Sequence, residues 1–270
     1  MNTRAVRAIV LKDLMVVTQS RAVMLPLVIV PLIMLVALPL FASLAPNFLN
    51  LPGMSNVNEL LERLPAGLQE TLAPYTPEQQ VVVVMIVYLF AAIYLIVPMM
   101  VASVIAADSF AGEKERKTLE ALLYSPTTDL ELVTAKLLSG WLPAIGVALG
   151  GFVVYSVVAN IAAWPVMGQI FFPNVMWVVL ALWVAPAVAG LGLAATVLVS
   201  TRVKSFQEAY QLGGVVVLPL VALIVSQAAG VVYLSTTFVL LLGLIVWLLD
   251  GVLLWFAVKT FRRGEIVAQL

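Results

Sequence analysis

The run AVMLPLVIVPLIMLVALPLFASL, residues 22–44, contains no charged residue. About 20 apolar residues in a helix cross the ~30 Å hydrocarbon core of a bilayer, so this run predicts a transmembrane helix. The alternative is a secretory signal peptide, whose apolar region has about 7–15 residues and ends at a small-residue cleavage site. The run is longer and no such site ends it cleanly, which favours a retained span.

Five further apolar runs of similar length follow, at residues 81–107, 137–160, 174–200, 211–230 and 237–258. Hydrophobic residues make up 63% of the chain and charged residues 10%, whereas soluble domains carry about a quarter charged residues. The short alternating segments of a transmembrane β-barrel are absent from the sequence. We therefore expect one all-α membrane domain over residues 1–270, with six transmembrane helices and a large outer loop at residues 45–80.

The basic residues predict the orientation of these spans. Six spans put the N-terminus, loops 108–136 and 201–210, and the C-terminus on one side of the membrane. These segments hold Arg4, Arg7, Lys12, Arg21, Lys114, Arg116, Lys117, Lys136, Arg202, Lys204, Lys259, Arg262 and Arg263, which leaves only Arg63 on the other side. Lys and Arg concentrate in cytoplasmic loops, so both termini are expected in the cytoplasm.

Several classes of function are excluded by residue types that the sequence lacks. The net charge is zero, which gives no general basic character for nucleic acid. Without cysteine or histidine, thiol nucleophiles, disulfides and Ser-His-Asp triads cannot form. No Gly-x-x-x-x-Gly-Lys-Ser/Thr motif occurs, so the chain cannot build a P-loop for ATP of its own.

The first 20 residues have the pattern of an amphipathic helix. Their apolar side chains recur at helical spacing, while Arg4, Arg7 and Lys12 add positive charge; the apolar set is Val6, Ile9, Val10, Leu14 and Val17. Such a helix lies in the membrane interface. It is either a simple anchor or part of a docking surface for a partner.

The segment GEKERKTLEALLYSP, residues 112–126, is the densest charged stretch in the chain. Its spacing predicts a helix with i,i+4 ion pairs from Glu113 to Lys117 and from Arg116 to Glu120, ending before Pro126. Thr128 and Glu131 then form the capping box of a second helix that continues through Lys136 into the third span. A mere connector needs two to eight residues, so the length and the apolar patch at Leu119, Leu122 and Leu123 favour docking to a partner.

Residues 108–126, DSFAGEKERKTLEALLYSP, resemble the first cytoplasmic loop of ABC-2 type transporter permeases. That loop has an acid-rich, glycine-containing start followed by Glu-Lys/Arg-Glu-Arg-x-Thr-Leu-Glu-x-Leu-Leu-x-Ser-Pro. Lys136-Leu137-Leu138 matches the family's entry into the third span. Residues 200–209, STRVKSFQEA, are similar to the second cytoplasmic loop of the sodium-efflux branch of the family.

The resemblance implies a membrane permease subunit of a prokaryotic ATP-binding cassette exporter, which is not itself an enzyme. The chain would hold no cofactor, and ATP and Mg would bind to two copies of a separate ATPase subunit. A second permease would complete the unit, with a homodimer favoured over a heterodimer. The segment from 108 to 124 would be the coupling helix, and its docking residues would be Glu113, Glu115, Arg116, Lys117, Thr118, Leu119, Glu120, Leu122 and Leu123.

One charged residue interrupts the sixth span. Asp250 lies about eight residues, or ~12 Å of helical rise, from the cytoplasmic end of that span. A carboxylate at such a depth costs several kcal/mol and marks a functional site by default. The sequence leaves two alternatives open: an ion or substrate pathway, and a protonated or hydrogen-bonded structural residue.

Two functions compete with the exporter subunit. The first is a membrane scaffold that transports nothing and uses the same loop to recruit a cytoplasmic protein. The second is an intramembrane enzyme, which the missing histidines and cysteines disfavour. The substrate of an exporter stays open between sodium, a drug and a lipid.

Overall fold

The protein is described from a computed structural model, which covers residues 3–48, 64–118, 128–203 and 205–260. Every regular element within these ranges is a helix. Six helices are long and apolar enough to cross a membrane: span 1 (Val23–Asn47), span 2 (Pro77–Glu115), span 3 (Leu130–Met167), span 4 (Val175–Ser200), span 5 (Phe206–Ala228) and span 6 (Thr236–Ala257). The predicted all-α fold with six spans is confirmed.

Spans 2 and 3 extend well beyond their predicted limits of 81–107 and 137–160. They contain 39 and 38 residues, which at 1.5 Å per residue gives lengths of about 59 and about 57 Å. The hydrocarbon core is only ~30 Å thick. Both helices therefore project from the membrane, and the polar segments before and after the apolar runs continue the same helices.

Four spans are built from several helical segments. Span 1 comprises Arg21–Leu32, a π-helical turn at Ile33–Ala37, Leu38–Ser43 and a 3-10 turn at Ala45–Phe48. Span 2 comprises Pro77–Val83, π-helical Val84–Leu89, Phe90–Tyr94, Ile96–Ala107, π-helical Asp108–Gly112 and Glu113–Glu115. Span 4 comprises Val175–Val179, π-helical Leu180–Val184 and Ala185–Ser200. Span 5 comprises Phe206–Gly213, 3-10 Gly214–Val217 and Leu218–Ala228.

Spans 3 and 6 are single α-helices, Asp129–Met167 and Thr236–Thr260. Helix Asp129–Met167 starts with the predicted capping box. The Thr128 hydroxyl accepts a hydrogen bond from the Glu131 amide at 3.3 Å, and the Thr128 amide donates to Glu131 Oε2 at 3.0 Å. The prediction of a helix that begins at Thr128 and runs into span 3 is confirmed.

Spans 2 and 4 form the centre of the bundle. In their most apolar windows 67% and 61% of the residues are buried, against 17–22% in the other four spans. A Cβ on Gly192 of span 4 would lie 2.7 Å from the carbonyl oxygen of Met99 in span 2. Because only a glycine fits there, the two helices approach closely, as small residues allow in membrane bundles.

The N-terminal helix α1, Thr3–Gln19, packs against span 3. Val6, Ile9 and Val17 are buried, and Val10 and Leu14 are half-buried, which confirms the predicted apolar face. Asp13 is buried on the same face. We refer to the end of the bundle that carries α1 as the α1 end.

The opposite end of the bundle carries the predicted outer loop, 45–80. Its described part contains helix α2, Ala66–Leu72, and a capping box in which Thr76 and Gln79 start span 2 at Pro77. The loop is therefore shorter than predicted, because span 2 begins before Val81. Residues 49–63 lie outside the described ranges.

Candidate functional site at the end of span 2

The charged segment that the sequence singled out, residues 112–126, begins within the last eight residues of span 2, Asp108–Glu115. The helix ends in a Schellman motif: Lys117 has φ 57°, the Thr118 amide bonds the Glu113 carbonyl, and the Lys117 amide bonds the Lys114 carbonyl. The chain therefore changes direction at Lys117. The helix predicted as continuous from 108 to 124 stops at Glu115 in the described residues.

The predicted docking residues fall into three groups. Glu115, Arg116, Lys117 and Thr118 are exposed at the α1 end. Glu113 is only 3% exposed, so its carboxylate is not accessible to a partner protein in this conformation. The remaining predicted residues lie outside the described ranges: Leu119, Glu120, Leu122 and Leu123. A docking role for the exposed and undescribed residues stays a prediction.

Glu113 joins three elements of the bundle through its two carboxylate oxygens. Its Oε2 accepts a hydrogen bond from Lys136 Nζ of span 3 at 2.7 Å, and its Oε1 accepts one from Lys12 Nζ of α1. Lys136 is fully buried and also donates to the carbonyl oxygen of Ser109. Its ammonium lies 5.3 Å from the centre of the Phe110 ring, within cation–π range.

Asp13 of α1 completes the cluster. One of its oxygens lies 2.9 Å from Lys12 Nζ, and the other accepts a hydrogen bond from the Ser139 hydroxyl at 3.0 Å and lies 3.9 Å from Lys136 Nζ. We call Lys12, Asp13, Glu113, Lys136 and Ser139 the Glu113 cluster. With two ammonium groups and two carboxylates the cluster is neutral as a whole, as buried charges require.

Lys12 is the only member of the Glu113 cluster with a substantially exposed side chain, at 39%. Burial by itself would lower its pKa, but hydrogen bonding to Glu113 and the negative charges of Glu113 and Asp13 raise the pKa above the ordinary lysine value. The ammonium form is therefore maintained at physiological pH. Lys12 therefore lies between the buried members of the cluster and the protein surface.

A second ion pair stabilises the turn at the end of span 2. Arg116 Nη1 donates to Asp108 Oδ1 at 2.9 Å, and Nη2 donates to the Asp108 carbonyl oxygen at 3.4 Å. A Cβ on Gly112 would lie 2.9 Å from Asp108 Oδ1 and 3.3 Å from the guanidinium. A glycine at this position therefore leaves the space in which the pair forms.

Glu115 connects span 2 to span 5. Its Oε2 accepts a hydrogen bond at 2.9 Å from the backbone amide of Phe206, the first residue of span 5. Free amides and the helix dipole make a helix N-terminus favourable for a carboxylate. Ser205 caps the same helix through the Glu208 amide, so both residues fix where span 5 begins.

The i,i+4 ion pair predicted between Glu113 and Lys117 is wrong. The carboxylate of Glu113 is bound by Lys12 and Lys136 rather than by Lys117, because it faces the bundle and not the surface. The guanidinium of Arg116 is bound by Asp108, eight residues earlier. Its predicted partner Glu120 lies outside the described residues.

The roles of Asp13, Ser109, Lys136 and Ser139 were not predicted from the sequence. Two signals for them were present: Asp13 shares a helical face with Val6 and Val17, and Lys136 stands directly before an apolar span. Each is a charge in an apolar setting, which requires a partner. The sequence could not show that the two partners meet.

Asp250 lies elsewhere, in span 6, and the structure does not bring it into the Glu113 cluster. It is 2% exposed, and neither carboxylate oxygen has a hydrogen-bond partner among the described residues. The carboxylate faces Gly190 of span 4, where a Cβ would lie 2.6 Å from Oδ2. The described residues contain no group of three acidic, histidine or cysteine side chains that could hold a metal ion.

The chain was compared with models of known protein families. The family model described as ABC-2 family transporter protein matches residues 7–257, which extend from α1 to the last turns of span 6. No curated protein and no solved structure matched the chain.

Proposed function

The chain belongs to the ABC-2 family of transporter proteins, and on this premise we propose that it is the permease subunit of an ATP-driven exporter. The family and the six apolar helices make it a multi-pass membrane protein. The observation that carries the proposal is the end of span 2, where two acidic side chains connect that helix to three others. Glu113 binds α1 and span 3, and Glu115 binds span 5.

ATP hydrolysis belongs to a separate subunit in this proposal. Permeases of this family generally work with an ATP-binding subunit, and the chain contains no P-loop motif. The working unit consists of two ATPase subunits, which bind ATP and Mg, and two permeases, here two copies of this chain. The membrane is a prokaryotic plasma membrane with the α1 end in the cytoplasm, as the distribution of 13 of the 14 basic residues supports.

The ATPase docks on the exposed residues 115–118 and on the segment that follows them. Because docking uses this exposed surface, the buried carboxylate of Glu113 keeps its hydrogen bonds to Lys12 and Lys136. When the ATPases close, they push the end of span 2, and the hydrogen bonds of Glu113 and Glu115 pass the displacement to α1, span 3 and span 5. Span 2 packs closely on span 4 at Gly192, so the centre of the bundle moves with it.

The experiment is reconstitution of the full-length protein with its ATPase, followed by ATP turnover with and without transported solute. The test variant is Glu113→Gln, which keeps the size of the side chain and removes its charge. The control is Glu78→Gln, the same change on an exposed residue at the opposite end of span 2. We expect Glu113→Gln to retain ATPase binding and to lose solute-stimulated turnover at least fivefold, while Glu78→Gln behaves as wild type.

Two results would contradict the proposal. If no ATPase subunit co-purifies with the full-length chain, a scaffold that recruits another protein becomes the better explanation. If the ATPase binds and Glu113→Gln retains normal stimulated turnover, the protein is a permease whose motion does not pass through the Glu113 cluster.

A further inference from the structure

A cavity of about 160 Å³ lies between spans 3, 4 and 6, and Asp250 is part of its wall. The other lining side chains are apolar or aromatic and include Leu138, Trp141, Leu193 and Trp247. A cavity of about 150 Å³ is large enough to bind benzene. The space therefore suits a ligand the size of one aromatic ring.

The two indole rings have no hydrogen-bond donor left for a ligand. Trp141 Nε1 donates to the carbonyl oxygen of Pro186 at 2.8 Å, and Trp247 Nε1 donates to that of Trp183 at 3.2 Å. The rings of Trp141 and Trp247 meet edge to face, with their centroids 6.2 Å apart. What they offer the cavity is apolar surface and π-electron density, which attracts cations.

Asp250 is an unusual component of such a wall. Its carboxylate is buried without a hydrogen-bond donor among the described residues, although a buried charge normally requires a partner. Gly190 gives it room, since any larger residue would meet Oδ2. A cation bound next to this carboxyl group would favour its ionised form, so that the two opposite charges stabilise each other in the cavity.

We propose that this cavity binds a lipophilic organic cation of the quaternary ammonium class, with Asp250 as the opposite charge and Trp141 and Trp247 as aromatic walls. A quaternary ammonium group has no N–H to donate. It can therefore bind in an apolar cavity without hydrogen-bond acceptors placed around it. A sodium ion is a hard cation that requires several oxygen ligands, and among the described residues that line the cavity only Asp250 has side-chain oxygens. The same chemistry thus favours a large, weakly hydrated cation over sodium.

The inference deepens the proposed export function, because it names a class of ligand for the membrane region. Its test does not involve the ATPase. A failure to bind the probe would therefore leave the permease assignment intact, and a failure to bind the ATPase would leave the cavity unaffected.

The experiment is equilibrium binding of radiolabelled tetramethylammonium to the full-length protein in nanodiscs of zwitterionic lipid. We expect saturable binding, with the neutral isostere neopentane competing at least tenfold more weakly than unlabelled probe. This comparison uses the wild-type protein, so it is independent of any folding defect. NaCl is expected to compete no better than KCl at the same ionic strength.

Three variants localise the binding. Asp250→Asn removes the charge at constant size, and Gly190→Ala pushes a methyl group against the carboxylate; each should lower affinity at least tenfold. Gly251→Ala is the matched control, because a Cβ there meets no atom within 4 Å, and it should bind as wild type. Thermal unfolding of each variant checks that the fold is intact.

Either of two outcomes would overturn the proposal. Equal affinity of wild type and Asp250→Asn for the probe would make Asp250 a structural carboxylic acid. Selective displacement of the probe by sodium over potassium would make the cavity a site for a small inorganic ion.

Discussion

Glu113 Oε2 and Lys136 Nζ lie 2.7 Å apart, and this hydrogen bond joins the end of span 2 to the start of span 3. Both side chains are buried, and the residues between them include the loop that connects the spans. Any force on that loop therefore acts on two helices whose ends are already hydrogen-bonded to each other. The bond therefore links spans 2 and 3 directly at the α1 end.

The first prediction concerns the energy of this pair. Removal of one partner from a buried ion pair costs about 3–5 kcal/mol, since the other charge is left without compensation. Glu113→Gln gives the Glu113 cluster a charge of about +1 and Lys136→Met a charge of about −1, counted from its neutral sum. We expect each single variant to lower the unfolding free energy by this amount, as measured by reversible detergent titration.

The double variant is the control for this prediction. Glu113→Gln with Lys136→Met restores a neutral cluster, so its cost should be smaller than the sum of the two single costs by at least about 1 kcal/mol. Additive costs would mean that the two residues act independently, contrary to the geometry.

The second prediction uses Gly112. In the middle of a helix, alanine is more favourable than glycine by about 1 kcal/mol, so Gly→Ala ordinarily raises stability. At Gly112 the added Cβ would press on Asp108 Oδ1 and the Arg116 guanidinium. We expect Gly112→Ala to lower the midpoint of thermal unfolding instead, because it displaces the pair.

The matched control is Gly146→Ala in span 3, where a Cβ meets no atom within 4 Å. It should leave the midpoint unchanged or raise it. In a protein that already carries Arg116→Ala, the change Gly112→Ala should lose most of its effect on the midpoint. A persistent effect would assign the loss of stability to the backbone rather than to the Asp108–Arg116 pair.

The third prediction concerns the turn at Lys117. A non-glycine residue with φ near +57° costs about 1–2 kcal/mol, and glycine is the usual residue at this position of a Schellman motif. We expect Lys117→Gly to raise the unfolding free energy by up to about 1 kcal/mol. Lys114→Gly, within the last helical turn, should lower it by a similar amount. If both changes lowered the unfolding free energy by the same amount, residue 117 would be part of the helix rather than of a turn.

The fourth prediction tests the contact between spans 2 and 5. The chain has no cysteine, so within one copy of the chain, cysteines introduced at positions 115 and 206 can form a disulfide only with each other. Because the Glu115 carboxylate bonds the Phe206 amide, we expect rapid oxidation of this pair in the resting protein. If spans 2 and 5 stay connected and move together during the transport cycle, the cross-linked protein should retain ATP-driven transport.

Single-cysteine variants at the two positions provide the control for the loss of each side chain. If oxidation stops transport and a reductant restores it, the two spans must separate during the cycle. The hydrogen bond between Glu115 and the Phe206 amide would then break and re-form in each cycle.

Local sequence patterns predicted the six spans and their helical structure. Apolar runs such as residues 22–44 and the capping box at Thr128 depend on neighbours within four residues, and a helix brings those neighbours together in every context. The family resemblance of residues 108–126 also depends on adjacent residues, and the family is confirmed. The apolar face of α1 follows from the same periodicity.

The length of span 2 and the partners of its charges depend on tertiary contacts. The apolar run ends at Ala107, yet the helix continues to Glu115, where Lys12 and Lys136 from distant parts of the chain bind the carboxylate of Glu113. Which spans lie side by side depends on close packing between surfaces that are all apolar, and no local pattern distinguishes them. Glu113 therefore looked like a surface residue in sequence and proved to be the buried junction of three helices.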